Sequence, residues 1–154
     1  MKTFEGEPNA EGLRLAIVAS RFNDEIVQGL IDGATSCLLR HGAGDEGFEI
    51  YRVPGAFEIP AASSRLARSG RFDAVIALGA LVRGDTPHFD FISSQTTLHI
   101  SRVSIDTGIP VAFGVITCDT MEQARARSGP KAGNKGWEAA LAAVEMVRLF
   151  RKIG

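Results

Sequence analysis

Cysteine, tryptophan and tyrosine are scarce in this sequence, whose 154 residues include two cysteines, one tryptophan and one tyrosine. Cys37 and Cys118 stand far apart in apolar surroundings, so we expect two buried, reduced thiols and no disulfide framework. An excess of one charge is also lacking, because 17 basic residues face 18 acidic ones and leave a net charge of -1. Without a run of lysine and arginine, nucleic acid is not expected as a partner.

Long hydrophobic runs are missing too. The apolar stretches fall short of the roughly 20 residues that cross a bilayer, and residues 1–6 lack the apolar centre of a secretory signal. We therefore expect a cytoplasmic chain with no membrane segment. The glycine-rich and serine motifs of dinucleotide dehydrogenases, P-loop nucleotidases and serine hydrolases are absent. His41 and His99 lack the spacing of metal ligands, so no metal site is expected.

The composition that remains is that of an ordinary globular protein, with 45% hydrophobic and 23% charged residues. A domain of this length buries roughly 70% of the surface that its unfolded chain exposes, which is enough for a real core. No low-complexity segment or shift in composition divides the chain. We therefore predict one domain over residues 1–154.

Short apolar runs alternate with segments of helical apolar spacing, which is the pattern of repeated strand-helix units. The runs are nearly continuous in apolar character, as in strands that are covered on both faces. This pattern predicts an α/β protein, a three-layer α/β/α sandwich of the flavodoxin-like type around a four-stranded parallel sheet. The predicted strands are residues 13–19, 48–53, 74–82 and 111–117.

Capping and breaking residues indicate where the helices begin and end. Asn23 is expected to cap the first helix, Pro60 to stand in the first turn of the second, and Gly108 to end the third. The predicted helices are 24–41, 60–69, 88–107, one that Thr120 opens with Gln123 at capping-box spacing, and, after a glycine-rich bend at 129–133, a last helix with Trp137, Leu141, Val144 and Val147 on one face.

Ligands bind parallel sheets at the carboxyl ends of the strands, and residues 84–88 follow the third predicted strand. Gly84 lets backbone come close to a ligand, Thr86 offers a hydroxyl, and the following helix start presents free N–H groups, so this segment predicts a phosphate site. Arg127 and Lys135 are candidates for an assisting cation. The same residues are also typical of a plain turn and helix start, and that alternative stays open.

His88 and two loop phenylalanines are further candidates. The positive end of the helix dipole keeps an imidazole at position 88 neutral, so that it can accept a proton, although a helix-start histidine can equally make only local hydrogen bonds. Phe22 and Phe57 fall in loops, where an aromatic side chain predicts a platform for a flat ligand. Either ring could instead simply cover the edge of the core.

Five segments of the chain, in order and at matching spacing, resemble the signature of the lumazine synthase family. The segments are Arg21-Phe22-Asn23, Val53-Pro54-Gly55-Ala56-Phe57-Glu58-Ile59-Pro60, Gly84-Asp85-Thr86-Pro87-His88-Phe89, Phe113-Gly114-Val115-Ile116-Thr117 and Gly133-Asn134-Lys135-Gly136. The resemblance implies condensation of 5-amino-6-(D-ribitylamino)uracil with 3,4-dihydroxy-2-butanone 4-phosphate, which yields 6,7-dimethyl-8-ribityllumazine and releases phosphate and water. It implies no cofactor.

The resemblance also implies roles for individual residues. His88 would move protons, and Asn23 and Lys135 would be accessory. The phosphate would lie against Gly84, Asp85 and Thr86, held by Arg127 of a neighbouring subunit. The pyrimidine and its ribityl chain would be bound by Phe22, Ala56, Phe57, Glu58, the backbone of Ala80, Leu81 and Val82, and Phe113 of the neighbour.

Members of the resembled family form pentamers, and some assemble pentamers into icosahedral shells. The same is expected here, with active sites at subunit interfaces, association with riboflavin synthase, and an N-terminal segment that adds a strand to a neighbouring sheet. Two alternatives remain: an archaeal-type riboflavin synthase, whose substrate carries no phosphate, and a non-catalytic flavin-binding or shell protein of the same fold.

Overall fold

Strands and helices alternate along the chain in the computed structural model, which describes residues 1–130 and 133–154. Residues 131 and 132, in the predicted glycine-rich bend, lie outside the described part. The strands are β1 Leu15–Ser20, β2 Phe48–Val53, β3 Ala74–Val82 and β4 Val111–Cys118. The helices are α1 Asp24–Arg40, α2 Ile59–Arg68, α3 His88–Thr107, α4 Met121–Ser128 and α5 Lys135–Ile153, and a short 3-10 turn, Ala56–Glu58, precedes α2.

The four strands form one parallel sheet in the order β2-β1-β3-β4. The predicted α/β fold is confirmed, and this order is that of a flavodoxin-like sheet. The predicted bounds of β2 and β3 match the observed ones, whereas β1 begins at Leu15 instead of residue 13 and β4 continues to Cys118.

Two apolar cores lie on opposite faces of the sheet, as a three-layer arrangement requires. One core joins alternate residues of β1 and β3 to the apolar faces of α1 and α5, with Leu30, Ile76 and Val144 fully buried. The other joins the remaining sheet residues to α2 and α3, with Ile59, Val75 and Ile100 at its centre.

The two outer strands are less covered than the sequence predicts. The central strands β1 and β3 are buried along almost their whole length, but Ile50 of β2 is 42% exposed and Phe113 of β4 is 46% exposed. The expectation of cover on both faces is therefore wrong for β2 and β4. Each is an edge strand with a neighbour on one side only, and the helices do not reach all of its outward side chains.

The helix ends follow the predicted signals with one exception, but α1 ends at Arg40 instead of residue 41, and α2 is Ile59–Arg68 instead of residues 60–69. Gly108 ends α3 with a φ of 73°, and the Thr120 hydroxyl accepts from the Gln123 N–H at 3.1 Å. Asn23 precedes α1 as predicted, but its side chain makes no cap hydrogen bond. The prediction of side-chain capping is wrong because Asn23 adopts the left-handed conformation, φ 61°, and its amide is used elsewhere.

Both cysteines are buried and free, which confirms the prediction of reduced thiols. Burial away from water raises the pKa of the Cys37 thiol to about 11, with a smaller contribution from the negative charge of Glu145. The neutral thiol is therefore favoured at physiological pH, and Cys37 is a packing residue rather than a nucleophile.

The N-terminal segment lies along α5 of its own chain. Lys152 Nζ donates to the Glu5 carbonyl at 2.6 Å, and Arg148 Nε donates to the Asn9 carbonyl at 2.8 Å. Residues 1–14 contain no strand within this single chain. Among the helices of the described residues, none has the length and apolarity to cross a membrane.

Candidate active site

The loops that follow β1 and β2 are held together by backbone hydrogen bonds at the carboxyl edge of the sheet. Arg21 N–H donates to the Val53 carbonyl at 2.8 Å, and Phe22 N–H donates to the Pro54 carbonyl at 3.1 Å. The exposed rings of both loops thereby share one edge of the sheet, with Phe22 70% and Phe57 62% exposed. These rings do not cover the core of the chain, which favours the predicted platform over the alternative of core-edge packing.

Strand β3 extends beyond its neighbour β1, and this leaves backbone unpaired. The ladder between β1 and β3 ends at the Ala19–Leu78 pair, whereas the ladder between β3 and β4 continues to Val82 and Cys118. From Gly79 to Val82, the side of β3 that faces the Phe22 loop therefore has no strand partner in the described residues. Backbone donors and acceptors at that edge are available to a ligand.

Asn23 occupies one of these acceptors. Its Nδ2 donates to the Ala80 carbonyl at 3.1 Å, which ties the start of α1 to β3 across the sheet edge. Asparagine is among the few residues other than glycine that adopt the left-handed conformation at low cost. A carbonyl oxygen has two lone pairs, so the Ala80 carbonyl can accept one further hydrogen bond from a ligand.

The 3-10 turn after β2 forms a wall beside this edge. Ala56 is buried, and Glu58 is half-buried with its N–H donating to the Gly55 carbonyl at 3.2 Å. A methyl group placed on Gly55 would lie 3.9 Å from both carboxylate oxygens of Glu58, so the carboxylate folds back over Gly55. The Glu58 carboxylate is an acceptor in the residue that follows the exposed Phe57.

The start of α3 is an uncapped helix end. Pro87 stands at the cap position without a side-chain cap bond, and the Thr86 hydroxyl accepts from the His88 N–H at a long 3.4 Å. By contrast, α5 is capped by Asn134, which accepts from the Trp137 N–H at 3.0 Å. The Asp90 N–H already donates to the Pro87 carbonyl at 3.1 Å. The remaining N–H groups of this helix start, next to the exposed residues 84 and 85, suit an anion.

Arg127 lies in the last turn of α4 and reaches back towards the sheet. Its Nη1 donates to Cys118 Sγ, the last residue of β4, at 3.1 Å. Among the described residues it forms no ion pair with a carboxylate. A half-buried guanidinium held only by a thiol keeps most of its donors for an anionic ligand.

Phe113 and Lys135 are not brought to this cluster within one chain. Phe113 pairs with Ala77 in the interior of β4, five positions before the carboxyl end of the strand and thus roughly 16 Å from it. Lys135 Nζ forms an ion pair with Glu138 in the first turn of α5, at 2.8 Å. Phe113 lies inside the predicted strand 111–117, and the resemblance assigns its ring to the site of a neighbouring subunit.

Arg83 is a residue of this region to which the sequence patterns assigned no role. It directly follows β3 and pairs with Asp119, which directly follows β4, at 2.9 Å. An arginine and an aspartate after adjacent parallel strands lie at the same sheet edge, and that is the signal by which the pair could have been found.

Comparison with known proteins decides the family. The model of the 6,7-dimethyl-8-ribityllumazine synthase family matches residues 12–151. The chain belongs to this family. It is 52% identical to the 6,7-dimethyl-8-ribityllumazine synthase of Chlorobium chlorochromatii and 52% identical to that of Aquifex aeolicus, with 99% of each chain covered in both cases. It is 54% identical to the corresponding protein of Syntrophus aciditrophicus, with 97% of each covered.

A separate cleft of about 890 Å³ in this lumazine synthase fold lies between α1, α5 and the end of α4. Its walls include Asp32, Arg40, Trp137 and Leu141, and none of the candidate site residues lines it. The exposed rings, the free β3 edge and the α3 start are therefore distinct from this cleft.

Replacement of Asn23 tests how the free β3 edge is organised. Both Asn23→Ala and Asn23→Gly lose the bond to Ala80, worth about 0.5 to 1.5 kcal/mol, but only alanine is strained at φ 61°, by about 1 to 2 kcal/mol. The free energy of unfolding, from urea titrations at one protein concentration, should fall more for Asn23→Ala than for Asn23→Gly. Equal losses, or a larger loss for glycine, would contradict the left-handed assignment.

Proposed function

We propose that this chain catalyses the family reaction, the condensation of 5-amino-6-(D-ribitylamino)uracil with 3,4-dihydroxy-2-butanone 4-phosphate to 6,7-dimethyl-8-ribityllumazine. The observation that carries the proposal is the combination, in a chain of this family, of an uncapped α3 start with the unpaired edge of β3. The first suits a phosphate and the second a flat ring with several hydrogen-bonding groups. A relative that only forms a shell would not need a phosphate site.

The pyrimidine substrate would lie between the exposed rings and the β3 edge. Its uracil ring stacks on Phe22 in this proposal, because an exposed aromatic face beside polar backbone suits a polar heterocycle. The ribityl chain and ring edges take hydrogen bonds from the wall and the strand. The residues assigned to this half are Phe22, Asn23, Ala56, Phe57, Glu58, Ala80, Leu81 and Val82, completed by Phe113 of a neighbouring subunit.

The phosphate of the second substrate would lie at the start of α3. A helix dipole contributes only about 0.3 to 1 kcal/mol to anion binding at an exposed site, rising to ~2 kcal/mol when partly buried, so a cation is needed. Arg127 of a neighbouring subunit is proposed for it, with Lys135 as an accessory cation. Gly84, Asp85 and Thr86 contribute mainly backbone N–H groups, and the exposed Asp85 carboxylate points to solvent in this proposal.

The chemistry requires little from the protein beyond alignment. The amine attacks the ketone to give an imine with loss of water, phosphate is eliminated, and ring closure releases a second water. Substrate groups supply the nucleophile and the leaving group. Holding two reactants in place can contribute ~7 to 11 kcal/mol at the upper end, whereas proton transfer by His88 contributes about 10²- to 10⁴-fold.

A site divided between subunits fits the exposed edges of the sheet. Phe113 is exposed on β4 and lies far from the carboxyl edge of the sheet in its own chain. We therefore expect its ring to line the site of a neighbouring subunit. We propose a cytoplasmic pentamer, assembled further into an icosahedral shell, in which the N-terminal segment adds a strand to a neighbouring sheet. Association with riboflavin synthase would place the lumazine next to the enzyme that consumes it.

Two substitutions separate proton transfer from phosphate binding. His88→Ala should lower kcat by roughly 10²-fold without abolishing turnover, whereas Arg127→Ala should raise the KM for the phosphate substrate by roughly 10- to 100-fold. Lumazine absorbance and phosphate release measure both. The matched control is Arg125→Ala, on the same helix, whose exposed pair with Glu25 is 3.6 Å long and whose loss should leave both parameters unchanged.

The outcomes that contradict the proposal are distinct. No acceleration by the unaltered protein over a protein-free control would exclude the reaction. Complete loss of turnover in a folded His88→Ala protein would show that proton transfer, not alignment, dominates.

Mixed assemblies test whether one site uses two subunits. Phe22→Ala and Arg127→Ala proteins, inactive or weak separately, should gain activity when they are unfolded and reassembled together, because about a quarter of the interfaces then pair two unaltered halves. The control mixes Phe22→Ala with Glu58→Ala, which fall on the same half and should give no gain. Equal behaviour of the two mixtures would place the whole site on one chain.

A further inference from the structure

We propose that Arg83 is a positioning residue for the phosphate subsite: it holds the start of α3 against the carboxyl end of β4, so that the N–H groups of the connecting segment converge on one point. The assignment of the subsite rests on the function proposed above. The contacts of Arg83 with Asp119, Asp90 and Phe89, called the clamp below, are observed in the structure.

The guanidinium of Arg83, the residue after β3, makes three contacts that link the end of β3 to α3 and to the turn before α4. Arg83 Nε lies 2.9 Å from Asp119 Oδ1, at the turn that opens α4, and Nη1 lies 3.4 Å from Asp90 Oδ1, in the first turn of α3. The guanidinium carbon lies 4.6 Å from the centre of the Phe89 ring, also in the first turn of α3. The Arg83 N–H donates to the Cys118 carbonyl at 2.8 Å, which fixes the base of the side chain.

The segment between the clamped ends has few contacts of its own. A methyl group placed on Gly84 would meet nothing within 4 Å. Within residues 84–88, the His88 N–H donates to the Thr86 hydroxyl at a long 3.4 Å. Residues 84–88 are all exposed. The direction in which their N–H groups point is therefore decided by the two ends of the segment, and Arg83 connects those ends.

The charge of Arg83 is already used by protein groups. The hydrogen bond that Arg83 donates to Asp119 is the first cause of the raised pKa of Arg83, and the negative charges of Asp90 and Asp119 add to it. Arg127 is different, because it donates to the sulfur of Cys118 and not to a carboxylate. Arg83 therefore orders residues 84–88 of its own chain, the phosphate cradle, and the proposed cation for the bound anion is Arg127 of a neighbouring subunit.

Kinetics of three variants test the clamp. Arg83→Met should raise the KM for the phosphate substrate and the inhibition constant of inorganic phosphate by roughly three- to tenfold, with kcat and the KM for the pyrimidine changed less than twofold. Arg83→Lys should recover part of the loss, because it keeps the charge but not the two-pronged geometry. Asp119→Asn, nearly isosteric, should show the same pattern as Arg83→Met and add little to it in the double variant.

Hydrogen exchange supplies a readout that does not need turnover. Amides of residues 88–91 should exchange at least roughly threefold faster in Arg83→Met than in the unaltered assembly. The matched control is Arg102→Met, since Arg102 pairs with Asp106 at 3.5 Å on the same helix, with similar exposure and no contact to the cradle. It should alter neither the exchange of residues 88–91 nor the inhibition by phosphate.

Two results would overturn the proposal. One is unchanged exchange at residues 88–91 in Arg83→Met. The other is an equal rise of both KM values together with a lowered melting temperature, which is the signature of general destabilisation. If the unaltered protein makes no lumazine, the proposed reaction fails, and the exchange comparison still decides the clamp.

Discussion

The unequal length of β1 and β3 is the constraint on which the candidate site depends. Inside a parallel sheet almost every backbone donor and acceptor is paired, so a site for a ligand requires a place where pairing stops. Here it stops because β1 bends away after Ser20 while β3 continues to Val82 alongside β4. Asn23, in a left-handed conformation, bridges part of the gap by its bond to Ala80, and the rest of the edge is open beside the two exposed phenylalanines.

The electrostatics at the carboxyl edge of the sheet depends on which charged groups are already paired within the chain. The start of α3 has no side-chain cap and keeps its positive dipole end free. Arg83 pairs with two aspartates, whereas Arg127 donates to the Cys118 sulfur and forms no ion pair within residues 1–130 and 133–154. An anion that enters therefore finds an ordered cradle in which Arg83 engages Asp90 and Asp119, and in our proposal Arg127 of a neighbouring subunit balances its charge.

Much of the fold could be predicted from the sequence because local signals and tertiary packing agree. The bounds of β2 and β3 and the end of α3 at Gly108 match. The full cover predicted for β2 failed because apolar content alone does not distinguish an edge strand from a central one. Asn23 was placed correctly before α1 but given the wrong bond, since its partner Ala80 is distant in sequence and the left-handed conformation turns its amide away from the helix.

The candidate site was predictable only to the extent that it is local. The segment 84–88 could be recognised as an uncapped helix start, and the resemblance to the family supplied residues that single-chain geometry does not unite, such as Phe113. Arg83 was missed because its function depends on Asp119 and Asp90, which only the packing of β4 and α3 brings to it. The residue type of Arg83 could not reveal its function, because the function depends on partners that only the folded structure brings together.

The most direct test of the account is a crystal structure of the assembled protein with the pyrimidine substrate bound. The account predicts a uracil ring against Phe22, near Phe57, with hydrogen bonds to backbone atoms of residues 80–82 on the side that β1 leaves unpaired. It would be contradicted by a ring bound in the cleft between α1 and α5, or by an occupied site in which residues 80–82 make no hydrogen bond to the ligand.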